Sequence, residues 1–407
     1  MRRVVVTGFG GITALGDDWP AIRARLQAGE TAIRYMPEWE RYDGLNTRLA
    51  GPIRGFDVEE RYPRKKLRTM GRVSRLAVYA TERALLDAAL IDDPVLTGGR
   101  TGIAYGSSFG STQPVIAFTD LMTKGTTRNL TATSYVQMMS HTAPVNIGLF
   151  FGVSGRIITT SSACTSASQG IGYAYEAIRF GLQDVMIAGG AEELCPTMSA
   201  VFDTLFATST LNETPSATPR PFDRDRDGLV IGEGAATLVL EEYGHAMARG
   251  ARVYAEIVGY GTNSDGSHIT QPAANTMQIA LRLALEDAGL PPEAIGFVNA
   301  HGTATEGGDV AESRATASIL GNRVPVHSLK SYLGHTLGAC GSIEAWLGIM
   351  MMNEGWFAPT ANLAHVDERC AELDYLMHEG RRIDVEYLMS NNFAFGGINT
   401  SLIFRRI

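Results

Sequence analysis

Short runs of β-branched and other apolar residues recur along the chain, separated by longer stretches in which apolar positions return every three or four residues. In the first part the runs are Val4–Val6, Gly102–Tyr105, Arg156–Thr160, Asp184–Ala188 and Ala236–Leu240. In the second they are Val253–Val258, Gly296–Asn299, Val324–Leu329, Leu388–Asn391 and Ser401–Phe404. Such runs read as strands and the intervening periodic stretches as helices, so the pattern predicts an α/β architecture with substantially parallel, buried sheets.

The pattern also echoes itself. Ile157–Gly181 runs from a strand through Ser-Ser-Ala-Cys-Thr-Ser into a helix whose apolar face is Ala167, Ile171, Ala174, Tyr175 and Ile178. Val326–Gly355 runs from a strand through Lys-Ser-Tyr-Leu-Gly-His into another helix. Both put a reactive residue at a strand-to-helix turn, which predicts two related halves, meeting around Glu241–Ala251, whose equivalent turns converge on one site. With no Pro- or Ser-rich linker between them, one fused unit is expected.

Composition narrows the function. The 407 residues can bury a sizeable core, and 45 glycines favour tight turns. A net charge of −8 and a pI near 5.6 argue against general nucleic-acid binding, which needs a surplus of Lys and Arg. No run approaches the roughly 18 apolar residues of a membrane span. The N-terminal Met-Arg-Arg-Val-Val-Val-Thr-Gly-Phe-Gly lacks the long apolar region of a signal peptide. A soluble, cytoplasmic protein is expected. The cysteines at 164, 195, 340 and 370 form no CxxC pair, so neither a disulfide framework nor a metal site is suggested.

Four motifs carry candidate chemistry. Cys164 stands between a strand and a helix, where unpaired N–H groups and the positive helix end favour a thiolate. A lone cysteine there reads more readily as a buried structural residue; its company reverses that. Asn299-Ala-His-Gly-Thr-Ala-Thr and Lys330-Ser-Tyr-Leu-Gly-His335 each leave a strand and enter a small-residue turn. Their histidines, His301 and His335, can aim N–H donors at a thioester oxygen that becomes an enolate as carbon dioxide leaves. Ser390-Asn-Asn-Phe-Ala-Phe-Gly-Gly-Ile-Asn399 follows, with Gly396 and Gly397 allowing backbone N–H groups to face an oxyanion.

The ordered set, together with Arg220-Pro-Phe-Asp-Arg-Asp-Arg-Asp-Gly and Gly232-Glu-Gly-Ala, resembles the elongating β-ketoacyl-acyl-carrier-protein synthases I and II over nearly the whole chain. The resemblance implies a thiolase-like fold, two similar halves at 1–245 and 246–407 in a layered α-β-α-β-α arrangement, usually assembled as a homodimer. It makes Cys164 the nucleophile, His301 and His335 the pair supporting decarboxylation, and Lys330 the charge that tunes them. Glu312 matches the family's buried acid and would partner Lys330. The N–H groups of Cys164 and Phe395 would form the oxyanion hole, with Phe395 also gating the acyl pocket, and Thr303, Thr305, Gly396 and Gly397 would contact substrate.

The implied reaction is decarboxylative condensation of an acyl-Cys164 thioester with a malonyl thioester, without a redox or organic cofactor. The substrate rides on the phosphopantetheine of an acyl carrier protein. Carriers of this kind are acidic, and Arg64, Lys65, Lys66 and Arg68 form a basic cluster where the family docks them, although Phe206 replaces an arginine often found at a second docking position. Phe109 and Phe202 match pocket-lining positions, and two large rings there would favour short, aromatic or polyene acyl groups. Phe395-Gly-Gly departs from the Cys-Gly-Gly motif of degradative thiolases, and two histidines depart from the His and Asn of initiating synthases. A non-catalytic partner of the chain-length-factor kind would lack Cys164, though a heterodimer with such a partner stays open. Spacing does not decide whether a structural monovalent cation sits near Asn299 and Ser390.

Overall fold

The computed structural model describes all 407 residues. All ten expected runs are strands of one sheet, and Asp374–Tyr375 adds an eleventh. In chain order they are β1 Val4–Thr13, β2 Thr101–Gly106, β3 Ile157–Thr160, β4 Val185–Glu192, β5 Gly234–Glu242, β6 Ala255–Ser264, β7 Ile295–Asn299, β8 Pro325–His327, β9 Asp374–Tyr375, β10 Tyr387–Ala394 and β11 Ile398–Arg405.

Across the sheet the order is β9-β8-β7-β10-β11-β6-β1-β5-β4-β2-β3. The run β3-β2-β4-β5-β1 places the third, second, fourth, fifth and first strands of one set side by side, and β8-β7-β10-β11-β6 repeats that order. Parallel and antiparallel pairs recur identically in the two sets. They join where Val4–Val6 pairs antiparallel with Ala255–Ile257.

Five long helices complete the layers: α1 Arg72–Asp87, α2 Ser166–Arg179, α3 Ala274–Ala288, α4 Glu306–Leu320 and α5 Cys340–Glu354. Helices α2 and α5 each pack on strands of both sets and on each other, forming the middle layer, while α1 covers the outer face of the first set and α3 and α4 that of the second. The predicted face of α2 is fully committed, with Ala167, Ile171, Ala174, Tyr175 and Ile178 all buried. The largest apolar core surrounds α2 and α5, and separate cores lie beneath α1 and α3. The α-β-α-β-α thiolase-like arrangement is therefore present.

Strand β1 runs seven residues beyond its predicted end at Val6. Its glycines do not break it, because they are where α1 crosses closest: a Cβ on Gly8 would lie 2.5 Å from the Ala84 carbonyl oxygen, and one on Gly10 2.1 Å from that of Ala80.

Candidate active site

Cys164, His301, Lys330, His335 and Phe395 each follow the C-terminal end of a strand, while Glu312 lies within α4. Cys164 lies in the turn Ala163–Thr165 between β3 and α2, and Ala163 holds φ at +50°. At the matching turn between β8 and α5, Leu337 holds φ at +45°. The left-handed residue at each corner turns the chain directly into the helix that follows, α2 at Ser166 and α5 at Cys340. His301 follows β7, His335 follows β8 and Phe395 follows β10, so the second set brings three groups to a cysteine supplied by the first.

Cys164 and both histidines are buried, and the cysteine sulfur and a ring nitrogen of each histidine all lie within 4.8 Å of one another. His335 Nε2 is 3.0 Å from Cys164 Sγ. The Leu337 N–H donates to His335 Nδ1 at 3.2 Å, so the ring proton belongs on Nε2 and points at the sulfur. His301 Nδ1 faces the side-chain NH2 of Asn392 at 3.4 Å, and that amide is oriented by its 2.7 Å donation to Glu344. Its Nε2 is therefore also a donor. The two rings stand nearly perpendicular, with centroids 5.1 Å apart. Two imidazoles protonated on their free nitrogens fit a metal ion poorly, because ligation needs the bare nitrogen.

Burial first, and the Lys330 charge second, hold both histidines well below the ordinary imidazole range, so they stay neutral donors. Burial pushes the Cys164 thiol up to about 11, against the Lys330 charge and the N–H groups of Phe395 and of Cys164 itself.

Lys330 does not pair with Glu312 as expected. Its ammonium bonds the carboxylate of Glu344 on α5, and each side chain is 2% exposed. Burial works against the Lys330 charge, but Glu344, reinforced by Cys340 and more weakly by Glu312, outweighs it and raises the pKa above the usual lysine value. Glu312 instead accepts the His301 and Gly302 N–H groups, each at 2.7 Å, fixing the turn that presents His301. Burial lifts its carboxyl to about 8. Glu344 and Asn392 escaped the motif reading. Glu344 had a signal: it is the one charged residue in the apolar stretch Cys340–Met352.

These groups open into a cavity of about 660 Å3. Cys164, His301, His335, Glu312, Thr303, Thr305, Phe395 and Gly397 line it, with Thr303 and Thr305 hydroxyls 2.9 Å apart. Phe202 lines it too, its ring 4.9 Å from that of Phe395. Gly396 belongs to the same loop but not to the wall, and Lys330 sits behind the histidines. Asp265, unnoticed in the sequence, anchors the Phe395 loop: its N–H donates to Gly397 O at 2.7 Å and its carboxylate takes the Asn399 amide at 2.7 Å.

Phe109 is a correction: it is 44% exposed and lines no part of this cavity. Ser161, directly after β3, donates to the Ser108 carbonyl at 3.4 Å, so the loop carrying Phe109 lies at the C-terminal end of β3. The basic cluster lies on the short helix Arg64–Leu67 and Arg68, exposed and outside the cavity, with Lys66 donating to Phe150 O at 3.0 Å. Phe206 stands 89% exposed at the cavity mouth. At the position where spacing leaves a monovalent cation undecided, Asn299 Nδ2 is 3.4 Å from Ser390 Oγ, while Asn299 Oδ1 is buried with no protein partner.

A buried thiol bonded by one neutral imidazole and within 4.8 Å of a second suits an enzyme that carries acyl groups through a cysteine thioester. The comparisons with known proteins make the class specific. The model of the β-ketoacyl synthase N-terminal domain matches residues 1–246 and that of its C-terminal domain residues 254–364, and the chain belongs to this family. It is 38% identical to the 3-oxoacyl-[acyl-carrier-protein] synthase 2 of Vibrio cholerae, over all of this chain and 99% of that one. Among solved structures, a β-ketoacyl synthase from Burkholderia phymatum superposes with a TM-score of 0.99 at 61% identity, covering both chains completely. The ishigamide ketosynthase/chain length factor superposes at 0.90 with 30% identity, over all of this chain and 99% of that one. No helix is long and apolar enough to cross a membrane.

Proposed function

We propose that the chain catalyses decarboxylative Claisen condensation, converting an acyl thioester and malonyl-acyl-carrier protein into 3-oxoacyl-carrier protein and carbon dioxide. Residues 1–245 supply the nucleophile and residues 246–407 the two histidines. The Cys164 thiol exchanges with the acyl-carrier thioester, giving acyl-Cys164 and a free carrier thiol. Malonyl-carrier then enters, and its C–C bond to the carboxylate breaks. The electron pair becomes an enolate whose oxygen is held by Nε2–H of His301 and His335. The enolate carbon attacks acyl-Cys164, while the N–H groups of Cys164 and Phe395 hold the oxyanion. Collapse expels the Cys164 thiolate, which takes a proton from solvent.

The observation that carries this reading is the pair of neutral imidazoles, each with a ring nitrogen within 4.8 Å of the thiol and with Nδ1 facing an N–H donor. Carbon dioxide release from malonyl-carrier protein tests it: His301→Ala and His335→Ala should each slow release about 100-fold or more. Release unchanged in both variants contradicts the assignment.

The carrier delivers substrate on its phosphopantetheine, and the chain needs no further cofactor. Arg64, Lys65, Lys66 and Arg68 steer the acidic carrier, while Phe206 gives the mouth an apolar contact in place of a cation. Phe202 and Phe395 narrow the cavity in favour of short, aromatic or polyene acyl groups; efficient turnover of long saturated chains would refute that preference. A second subunit covers the free edge of β3, whose Ile157 is 43% exposed. A homodimer is the simplest occupant. A chain-length-factor-like partner is the second reading, and sedimentation of the purified chain alone distinguishes them: a dimer supports the first and a monomer the second.

A further inference from the structure

Cys340 is a buried thiol that the condensation does not use, yet it lies between the nucleophile and the groups that orient the histidines. It begins α5, and its Sγ is 3.2 Å from the carbonyl oxygen of Cys164. On its other side the Asn392 amide, which also serves His301 and Glu344, approaches the same sulfur at 3.6 Å. A helix N-terminus ordinarily favours a thiolate, but burial dominates here and raises this thiol well above the ordinary value. Cys340 therefore keeps its S–H, and the Cys164 carbonyl is the acceptor within reach.

The turn it touches needs support. Ala163 sits at φ +50°, a conformation that costs a residue with a Cβ about 1 kcal/mol or more and persists only when neighbours fix it. From within the first half, Ser166 Oγ takes the Ser162 N–H at 2.9 Å and donates to Ala163 O at 2.7 Å. Cys340 is the corresponding first residue of α5 and grips the next carbonyl of the same turn from the second half.

We infer that Cys340 is a positioning residue for the nucleophile: its S–H clamps the Cys164 carbonyl, keeping Sγ on the His335 donor. The inference rests on the proposed reaction for its kinetic consequence, but not for its geometric one. No bond is made or broken at Cys340.

The test uses the full chain with Cys340→Ala and Cys340→Ser, reading condensation kinetics and the pH profile of Cys164 alkylation by iodoacetamide, resolved by peptide mass. Losing one weak donor should lower kcat about 3- to 10-fold, with KM for acyl-carrier protein changing less than about twofold. The alkylation profile should move to higher pH as the sulfur drifts from its donors. Cys340→Ser keeps a donor at the position and should recover both readouts to within about twofold of wild type. Wild-type kinetics and an unmoved profile in Cys340→Ala would overturn the inference, as would Cys340→Ser proving no better than Cys340→Ala. If wild type itself does not condense, the proposed reaction fails, while the alkylation profiles still decide the role of Cys340.

Discussion

Replacing Glu344 by Leu should be among the most damaging single changes in the site, although Glu344 touches no substrate. The change leaves the Lys330 ammonium 2% exposed without its counter-charge, and breaking one side of such a pair costs about 3–5 kcal/mol. At about 2.1 cal/mol/K per residue, 407 residues give an unfolding entropy of about 0.85 kcal/mol/K, so melting should fall by about 4–6 °C. Lys330→Met together with Glu344→Leu removes both charges and should recover most of that loss, a coupling of at least about 2 kcal/mol. Glu312→Gln should couple to Lys330 by less than about 1 kcal/mol, because Glu312 bonds the backbone of His301 and Gly302 instead. Scanning calorimetry of the two double-mutant cycles decides. Strong coupling of Lys330 to Glu312 and weak coupling to Glu344 would refute the pairing and restore the expectation drawn from the motifs.

Three further outcomes follow from the geometry. Gly397→Ala must place a Cβ 2.6 Å from that of Asp265 at φ +71°, displacing the Phe395 N–H; kcat should fall about 10-fold or more with the melting temperature little changed, and an unchanged kcat would contradict the role given to that loop. With the thiol near 11, the thiolate fraction rises with pH throughout the neutral range, so alkylation of Cys164 should accelerate about 100-fold between pH 7 and pH 9, and a plateau near neutrality would show a thiolate already formed at rest. Reversing Arg64 and Lys65 to Glu should raise KM for acyl-carrier protein about 10-fold at low salt and much less at high salt, with kcat retained; a salt-independent change would argue against steering.

The strands were legible because each is a compact apolar run flanked by periodic helical stretches, and all ten expected runs are in the sheet. Asp374–Tyr375 was not, since two residues carry no periodicity. The extension of β1 was hidden because glycine reads as a stop, whereas here it marks the close crossing of α1. Of the site, Cys164, His301 and His335 could be found from three strand-end motifs, but the tautomers could not, since they depend on Leu337 and Asn392 meeting the rings in space. The partner of Lys330 was misassigned because Glu312 and Glu344 both lie on helices following catalytic turns, and only packing shows which carboxylate reaches it. Phe109 could not be placed, because pattern alone does not say whether a ring in the loop after β2 turns inward or outward, and here it is 44% exposed and outside the cavity wall.

The central claim is that Cys164 accepts the acyl group. Intact-protein mass spectrometry after incubation with a panel of short, long and aryl-polyene acyl-carrier proteins tests it most directly, with Cys164→Ala as control. The account predicts one acyl mass added to wild type, absent from Cys164→Ala, and heaviest for the aromatic and polyene donors. Acyl addition that persists in Cys164→Ala would contradict it.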